Sequence, residues 1–400
     1  MRTIFDTILR SHASLSDVQV AVDPFTGRTS TFLPVVARLP GGPLLEARRV
    51  VGEVQAQALR QGQAARLDPR LAILTDVFNP GLAHVGDGYV MLVRFGNAAR
   101  FNDQFVATSR DGLHWDPVPR VLDLPDLPPA PRADTLRRAH PHLPADQQWH
   151  PGIVYDPRVT SFENGEHLVT FAVDYDTLET NGNPYVNVCD NVLYRTRDFQ
   201  RFEFVSTFAG DARNGVLFPR QIDGWYWCAS RPNTYNRPGE PASGQDTVLA
   251  RSRDLVHWET VSVLFSCGHR WMIYGGPGFP PFETSDYWVL GVHGVEAHGT
   301  HRVHYRAGVC LIDKRTMRLV GQPAPVLDPR EPYELTGLVD NVIFPSGVLF
   351  GDGRGWGVKT PETKVAIYYG GADRVVHAGL TTVGRLVEAA LGTYDPFARG

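Results

Sequence analysis

The chain has 400 residues, 42% of them hydrophobic and 20% charged, a balance that suits a soluble globular protein with a sizeable core. A formal net charge of −4 provides no electrostatic attraction to nucleic acid or to an anionic membrane, and neither is an expected partner. Thirty-nine Gly and 31 Pro beside few helical patterns point to many turns, and 8 Trp, 14 Tyr and 20 Phe suit strands and sugar-binding surfaces equally well.

The N-terminal stretch MRTIFDTILRSHASL is interrupted by Asp6 and Arg10, so it does not read as a signal peptide. No stretch approaches the ~20 apolar residues that span a bilayer. LLEARRVVGEVQAQALRQ (44–61) has apolar residues at near-helical spacing among good helix formers, which predicts a helix packed outside the rest of the fold. Residues 1–66 fit no repeat and read as an N-terminal extension, with residues 67–400 as one domain. Cys189, Cys228, Cys267 and Cys310 lie far apart without CxxC or Cys/His ligand spacing, which reads as buried free thiols in a reducing compartment, the cytoplasm.

Beyond residue 66 a repeat emerges from the turns. Asp87-Gly88, Asn164-Gly165, Asp223-Gly224, Ser285-Asp286 and Asp352-Gly353 each lead into an aromatic or β-branched run. Asp-Gly and Asn-Gly between strand-like runs favour hairpins because both central residues accept positive φ. A Pro-containing stretch precedes each turn: FNPG (78–81), YDPR (155–158), LFPR (217–220), GFPP (278–281) and IFPS (343–346). Behind the hairpins stand TSRDGLHW (108–115), RTRDFQRF (195–202) and RSRDLVHW (251–258), with looser versions at 311–317 and 381–387. Five units of this order predict a five-bladed β-propeller, an all-β fold in which a closed ring protects strand edges, with the partly helical N-terminal extension before it and a short C-terminal helix. The polar, Pro-rich insert 131–152 in the first unit reads either as disorder or as a lid over the pore.

In such a ring the innermost strands line a central funnel, where equivalent positions of the repeat converge. The inner-strand Pro is preceded by Asn79, Asp156, Phe218, Pro280 and Phe344, so Asp156 is the one acidic residue in that register. A residue needed to fold every blade recurs in every blade, and Asp156 does not. The aromatic strands end in Arg94, Asp174 with Tyr175, Arg231, His293 and Asp373, and Arg213-Asn214 adds a cation near the funnel. Arginines facing one cavity repel each other without an anion, and their planar fork suits phosphate or carboxylate. Carboxylates, cations and aromatics together suggest a sugar site with a phosphate beside it. GGPGFPP (275–281) lacks the Lys-Ser/Thr of a phosphate loop, HGTHRVH (298–304) lacks an acidic or Cys partner at metal-ligand spacing, and no nucleophile elbow occurs. No metal and no resident cofactor are expected.

The joint order of FNPGLAHVGDGYVMLVRF, VYDPRVT, RNGVLFPRQIDGWYW, SRP, VHGV, DNVIFPSG, YYGGAD and HAGLTTVGRLVEAAL resembles glycoside hydrolase family 130, the β-mannoside phosphorylases, over roughly residues 70–391. VYDPRVT and the C-terminal motif look closest to the mannosylglucose phosphorylase branch. The resemblance implies inverting phosphorolysis of β-mannosides, such as β-1,4-mannosyl-glucose, to α-mannose 1-phosphate, with inorganic phosphate and an oligosaccharide as the small-molecule partners. It implies Asp156 as general acid acting through the mannosyl 3-hydroxyl. Arg158, Arg213, Arg231 and His293 take positions consistent with phosphate binding, and Asn79, Arg94, Asp340, Tyr369 and Asp373 positions consistent with holding sugar. The chain departs from the family in GLVDNV, where Leu338 takes an Asp place and Asp340 follows two residues later. It also has Asp174-Tyr175 where the branch has a basic residue. Two other readings are a hydrolase with Glu331 or Glu334 as base and a non-catalytic sugar-binding propeller; a homo-oligomer is left open.

Overall fold

All five turn dipeptides open hairpins. The computed structural model describes residues 3–6, 19–22, 29–32, 35–60, 68–97, 102–132, 148–177, 188–208, 212–232, 246–268, 271–297 and 303–393. Blade one comprises Leu74–Val85, Gly88–Asn97, Asn102–Ser109 and Asp116–Val121, and blade two Trp149–Ser161, His167–Thr177, Val188–Thr196 and Glu203–Phe208. Blade three comprises Ala212–Leu217, Tyr226–Pro232, Asp246–Ser252 and Glu259–Ser266. In blade four a split inner strand, Tyr274–Pro277 and Phe282–Glu283, precedes Tyr287–Ala297, Val303–Asp313 and Leu319–Leu327. Blade five has Ile343–Phe350, Lys364–Gly371 and Val375–Thr382, and its neighbouring strands pair antiparallel, as do those of the other blades. The five-bladed propeller is thus the observed fold.

The fourth strand of blade five comes from the other end of the chain. Ala37–Arg38 pairs with Leu380 and Gly379, and Leu45–Glu46 pairs with Val376 and Val375. The sequence reading assigns no blade strand to residues 1–66, because two-residue strands carry no alternation to detect. After Thr382 the chain turns instead into helix Val383–Leu391, capped by the Thr382 hydroxyl at one end and left-handed Gly392 at the other. The expected N-terminal helix is Ala47–Arg60, whose Val50 and Val54 pack with blades five and one.

Hydrophobic side chains fill the gaps between successive blades. Leu92 and Val90 meet Phe171 and Val159 between blades one and two, Leu168 and Leu193 meet Leu217 and Cys228 between two and three, and Val216 and Trp227 meet Trp288 and Leu290 between three and four. Phe279 and Val289 meet Ile343 and Ile367 between four and five, where Val383 and Leu386 of the C-terminal helix join them, and Leu349 and Tyr368 meet Leu82 and Val93 to close the ring. Each fully buried large apolar side chain contributes ~1.5–3 kcal/mol, so cohesion is distributed around the ring rather than held in one centre.

The Arg-Asp segments behind the hairpins are turn staples. Asp111 accepts from the backbone N–H groups of Leu113 and His114, Asp198 from Gln200 and Arg201, Asp254 from Val256 and His257, and Asp313 from Arg315 and Thr316. A carboxylate bridging two consecutive amides satisfies donors that the tight turn cannot pair internally, which is why this Asp recurs.

One register in the sequence reading is corrected. In blades one to three the inner strand bulges at the same height, placing two residues opposite one: Asn79-Pro80 opposite Val93, Asp156-Pro157 opposite Phe171, and Asn214-Gly215 opposite Ser230. Asn79, Asp156 and Asn214 have φ of 47°, 54° and 59°, a left-handed conformation that Asn and Asp tolerate better than other side chains. Phe218 and Pro280 therefore do not share the height of Asp156. Pro219, Pro280 and Pro281 line a small cavity with Ser161 and Gly355 instead.

Candidate active site

The bulges aim side chains into a cavity of about 280 Å³ on the ring axis, walled by residues from all five blades. Asp156 is 5% exposed. Its Oδ1 accepts from Asn79 Nδ2 at 2.9 Å and from Arg94 Nη1 at 2.8 Å, while Oδ2 has no hydrogen-bond partner among the described residues. Burial pushes the Asp156 carboxyl up, but the Arg94 and Arg158 guanidiniums and the Asn79 amide outweigh it and hold the group below its usual range. Arg94 is itself fixed by Asn102 Oδ1 at 3.1 Å and lies over the Phe78 and Tyr155 rings at 4.5 and 4.8 Å. Gly370 packs against Asn79 so closely that a Cβ there would come within 2.2 Å of Asn79 Oδ1, so this approach requires glycine.

Blades three and four build the facing wall, and its cations come from blade three. Arg213 pairs with Arg231 across blade three, and His293 pairs with Gly276 of blade four. Arg231 makes no hydrogen bond or ion pair among the described residues, and its Nε is buried without a partner. Burial and the neighbouring Arg213 both lower its pKa, the signature of a cation that a bound anion would relieve. Arg213 Nη2 lies 3.5 Å from Asp174 Oδ1, which also accepts from Tyr155 Oη at 2.9 Å. His293 is 2% exposed and sits between the Tyr305 and Phe344 rings, with Nδ1 3.3 Å from Pro277 O. Burial, then Arg231 and Arg158, hold its imidazole well below the usual range, so it is neutral.

Asn79, Arg94, Asp156, Arg213, Arg231, His293 and Asp373 thus meet in one cavity, as do Asn214 and Asp174. Asp373 stands at φ 51° beyond the second strand of blade five. Its burial, aided by Asp156 and Asp76 and opposed by Arg94, pushes it up to about 6.

Three expected site residues fall outside that wall. Arg158 lies beneath it as a brace: Nε donates to Gly278 O at 2.9 Å, Nη1 to Asp156 O at 2.7 Å and Nη2 to Asn214 Oδ1 at 3.2 Å, so the guanidinium joins blades two, three and four. Tyr369 is fully buried, does not line the cavity and donates to Glu334 Oε1 at 2.7 Å. Asp340 is exposed and accepts from Gly337 N at 3.1 Å, closing its own turn.

The candidate hydrolytic bases are also displaced. Glu334 has no exposed surface and receives Arg38 Nε at 2.8 Å, Arg38 Nη2 at 2.9 Å, Tyr369 Oη and two backbone N–H groups; neither it nor Glu331 lines the cavity. A carboxylate with every lone pair engaged cannot activate water.

Phe344, named in the inner-strand register, does line the wall, whereas sequence reasoning missed Ile153, Tyr305, Val339 and Val342. Tyr305 belongs to a third strand, and Val339 and Val342 to the segment before blade five, so no inner-strand repeat signals them. That segment is held by Leu338 and Val339 N–H donating to Ala372 O at 3.0 and 3.3 Å, beside Asp373. In the HGTHRVH stretch, His298 to Arg302 lie outside the described residues, and His304 Nε2 meets Asp328 at 3.0 Å. Residues 133–147 of the insert also lie outside them. Among the described residues no cluster of three metal-ligating side chains occurs, and no helix is long and apolar enough to cross a membrane.

The family model described as beta-1,4-mannooligosaccharide phosphorylase matches residues 135–390. A beta-1,4-mannooligosaccharide phosphorylase of Ruminococcus albus is 31% identical over 284 residues, 70% of this chain and 73% of that protein. A 4-O-beta-D-mannosyl-D-glucose phosphorylase of Bacteroides fragilis is 27% identical over 331 residues, 79% of this chain and 75% of that one. The solved beta-1,2-mannobiose phosphorylase of Listeria innocua superposes with a TM-score of 0.62 at 16% identity, covering 90% of this chain and 99% of that one, a likeness of fold.

Proposed function

Because the chain belongs to glycoside hydrolase family 130, the β-mannoside phosphorylases, we propose that it catalyses the inverting phosphorolysis of β-mannosides. Inorganic phosphate attacks the anomeric carbon of a terminal β-mannosyl unit, the bond to the leaving sugar oxygen breaks, and that oxygen takes a proton. The products are α-mannose 1-phosphate and the released sugar. The observation that carries this reading is that, among the described residues, a largely buried Arg231 without a partner stands beside Arg213 in the same cavity as the bulge carboxylate Asp156, whose Oδ2 is free of protein partners. One carboxylate suffices because phosphate replaces the water and the base of an inverting glycosidase.

In this reading Asp156 is the general acid, relaying its proton through the mannosyl 3-hydroxyl. Arg213, Arg231 and His293 hold phosphate, and Asn79, Arg94 and Asp373 hold the mannosyl unit. The guanidiniums around Asp156 favour its ionised form. The negative charge of phosphate arriving at Arg213 and Arg231 works in the opposite direction, toward the protonated carboxyl that an acid needs. β-1,4-linked mannosides are the preferred substrate class, supported by what the Ruminococcus albus and Bacteroides fragilis relatives are named for. A cytoplasmic setting is supported by four buried cysteines, all free. The test supplies β-1,4-mannobiose or mannosylglucose with and without phosphate and follows mannose 1-phosphate. Free mannose appearing at the same rate without phosphate would refute the proposal.

A further inference from the structure

The anion end of the cavity contains a carboxylate. Asp174, on the second strand of blade two, lines the same cavity as Arg213, Arg231 and His293. Its Oδ1 is anchored by the Tyr155 hydroxyl at 2.9 Å and stands 3.5 Å from Arg213 Nη2, so an anion engaged by Arg213 comes within range of this carboxylate. A second acceptor faces the same space. Pro277 O can only accept, so the Nδ1 it meets at 3.3 Å carries the imidazole proton of neutral His293, and Nε2 is left with a lone pair. Two guanidiniums therefore share the wall with two hydrogen-bond acceptors.

Resting on the phosphorolysis reading, we propose that Asp174 makes this subsite select a protonated oxyanion, hydrogen phosphate or its arsenate analogue, over sulfate. At neutral pH hydrogen phosphate keeps one P–OH, which can donate to Asp174 or to His293 Nε2 while its other oxygens accept from Arg213 and Arg231. Sulfate has the same shape and charge but no proton. It would set an oxygen lone pair against a fixed carboxylate, leaving both acceptors unmatched. A site built to hydrogen-bond a hydroxyl rejects the analogue lacking it far more strongly than shape alone can. A carboxylate among arginines otherwise only weakens anion binding, and this discrimination gives Asp174 a function.

The test is steady-state phosphorolysis of β-1,4-mannobiose with phosphate varied and sulfate as competitor, at neutral pH and constant ionic strength. In the unmodified enzyme the inhibition constant for sulfate exceeds the KM for phosphate by at least ~10-fold, a floor well below the ~10⁴–10⁵ that hydroxyl-reading sites can reach. Arsenate replaces phosphate and releases free mannose, because the mannosyl arsenate ester hydrolyses. In Asp174→Asn, which keeps an acceptor for Tyr155, the ratio of the sulfate constant to the phosphate KM falls at least threefold. Sulfate competing as well as phosphate in the unmodified enzyme, or a ratio changed by less than threefold in Asp174→Asn, overturns the inference. Should that variant fold poorly, Asp174→Ser and the unmodified enzyme's own sulfate constant still decide. Absence of phosphate-dependent turnover would refute the phosphorolysis reading instead, and calorimetric titration with inorganic phosphate and sulfate would then decide the anion preference independently.

Discussion

Replacing Asp156 by Asn separates the carboxylate's chemistry from its place in the backbone. Asp156 holds φ 54° on an inner-strand bulge, and asparagines occupy the equivalent bulges of blades one and three at φ 47° and 59°. The left-handed backbone therefore accepts an amide at this height. The introduced amide oxygen can still receive Asn79 Nδ2 and Arg94 Nη1, now at 2.9 and 2.8 Å from Oδ1, so the hydrogen bonds survive while the charge and the transferable proton are lost. The depressed carboxyl pKa means that wild type draws stability from this ion pair above the unfolded pKa and loses it as pH falls through the folded pKa. The Asp156→Asn variant forgoes that contribution, so the two proteins differ in thermal midpoint at pH 7 and converge in acid.

Turnover on β-1,4-mannobiose should fall by ~10²–10⁴-fold, or about 3–5 kcal/mol of barrier, the range for removing a positioned general acid. A mannoside with a dinitrophenyl leaving group, which departs without protonation, should recover most of that loss. Turnover within tenfold of wild type on mannobiose, or an equal loss on both substrates in a folded variant, would refute the acid assignment.

Three further outcomes follow from the geometry. Arg231→Ala should raise the KM for phosphate by ~10-fold or more without lowering the thermal midpoint, since it deletes a charge-assisted anion contact together with a desolvated cation that has no partner among the described residues. Tyr369→Phe should lose about 1.5–3 kcal/mol in urea denaturation, the range for a hydrogen bond to a charged group, with the mannoside KM within twofold of wild type; a KM change alone would return Tyr369 to the sugar site. Asp373 has its carboxyl raised from 3.8 to about 6, so the folded state holds its proton more tightly and stability falls as pH rises between those values. Asp373→Asn should therefore gain on wild type by up to about 3 kcal/mol above pH 6, with no gain below pH 4, in denaturation measured at both ends.

The blades are legible because their signals are local. Asp87-Gly88 or Asn164-Gly165 states a hairpin within two residues, and Asp111 or Asp254 states an outer turn within four. The bulge register is less legible. Proline marks a strand end in blade three as readily as a bulge in blade two, so LFPR reads as the match of YDPR although RNG is its structural counterpart. Motif position likewise cannot separate Arg158 from Arg231: both are arginines of the inner two strands, yet one spends its nitrogens on neighbouring blades and the other spends none among the described residues. Tyr369 lies away from the cavity for a similar reason. Its acceptor Glu334, itself paired with Arg38, comes from outside the blade's strands, and adjacent strand residues face opposite ways.

The pairing of Ala37–Arg38 with Gly379 and Leu380 also bears on how the molecule is made. Of the propeller's strands, the first to leave the ribosome pairs with the last, so through most of synthesis blade five exists only as fragments. Contacts this distant in sequence form late, because their loop-closure entropy comes due before any packing offsets it. Arg38 then docks onto Glu334 in the same event that closes the sheet, and Tyr369 shares that acceptor. A chain cut short before residue 375 would carry four complete blades and only the inner two strands of the fifth, and the uncovered edge of Lys364–Gly371 would be its route to aggregation.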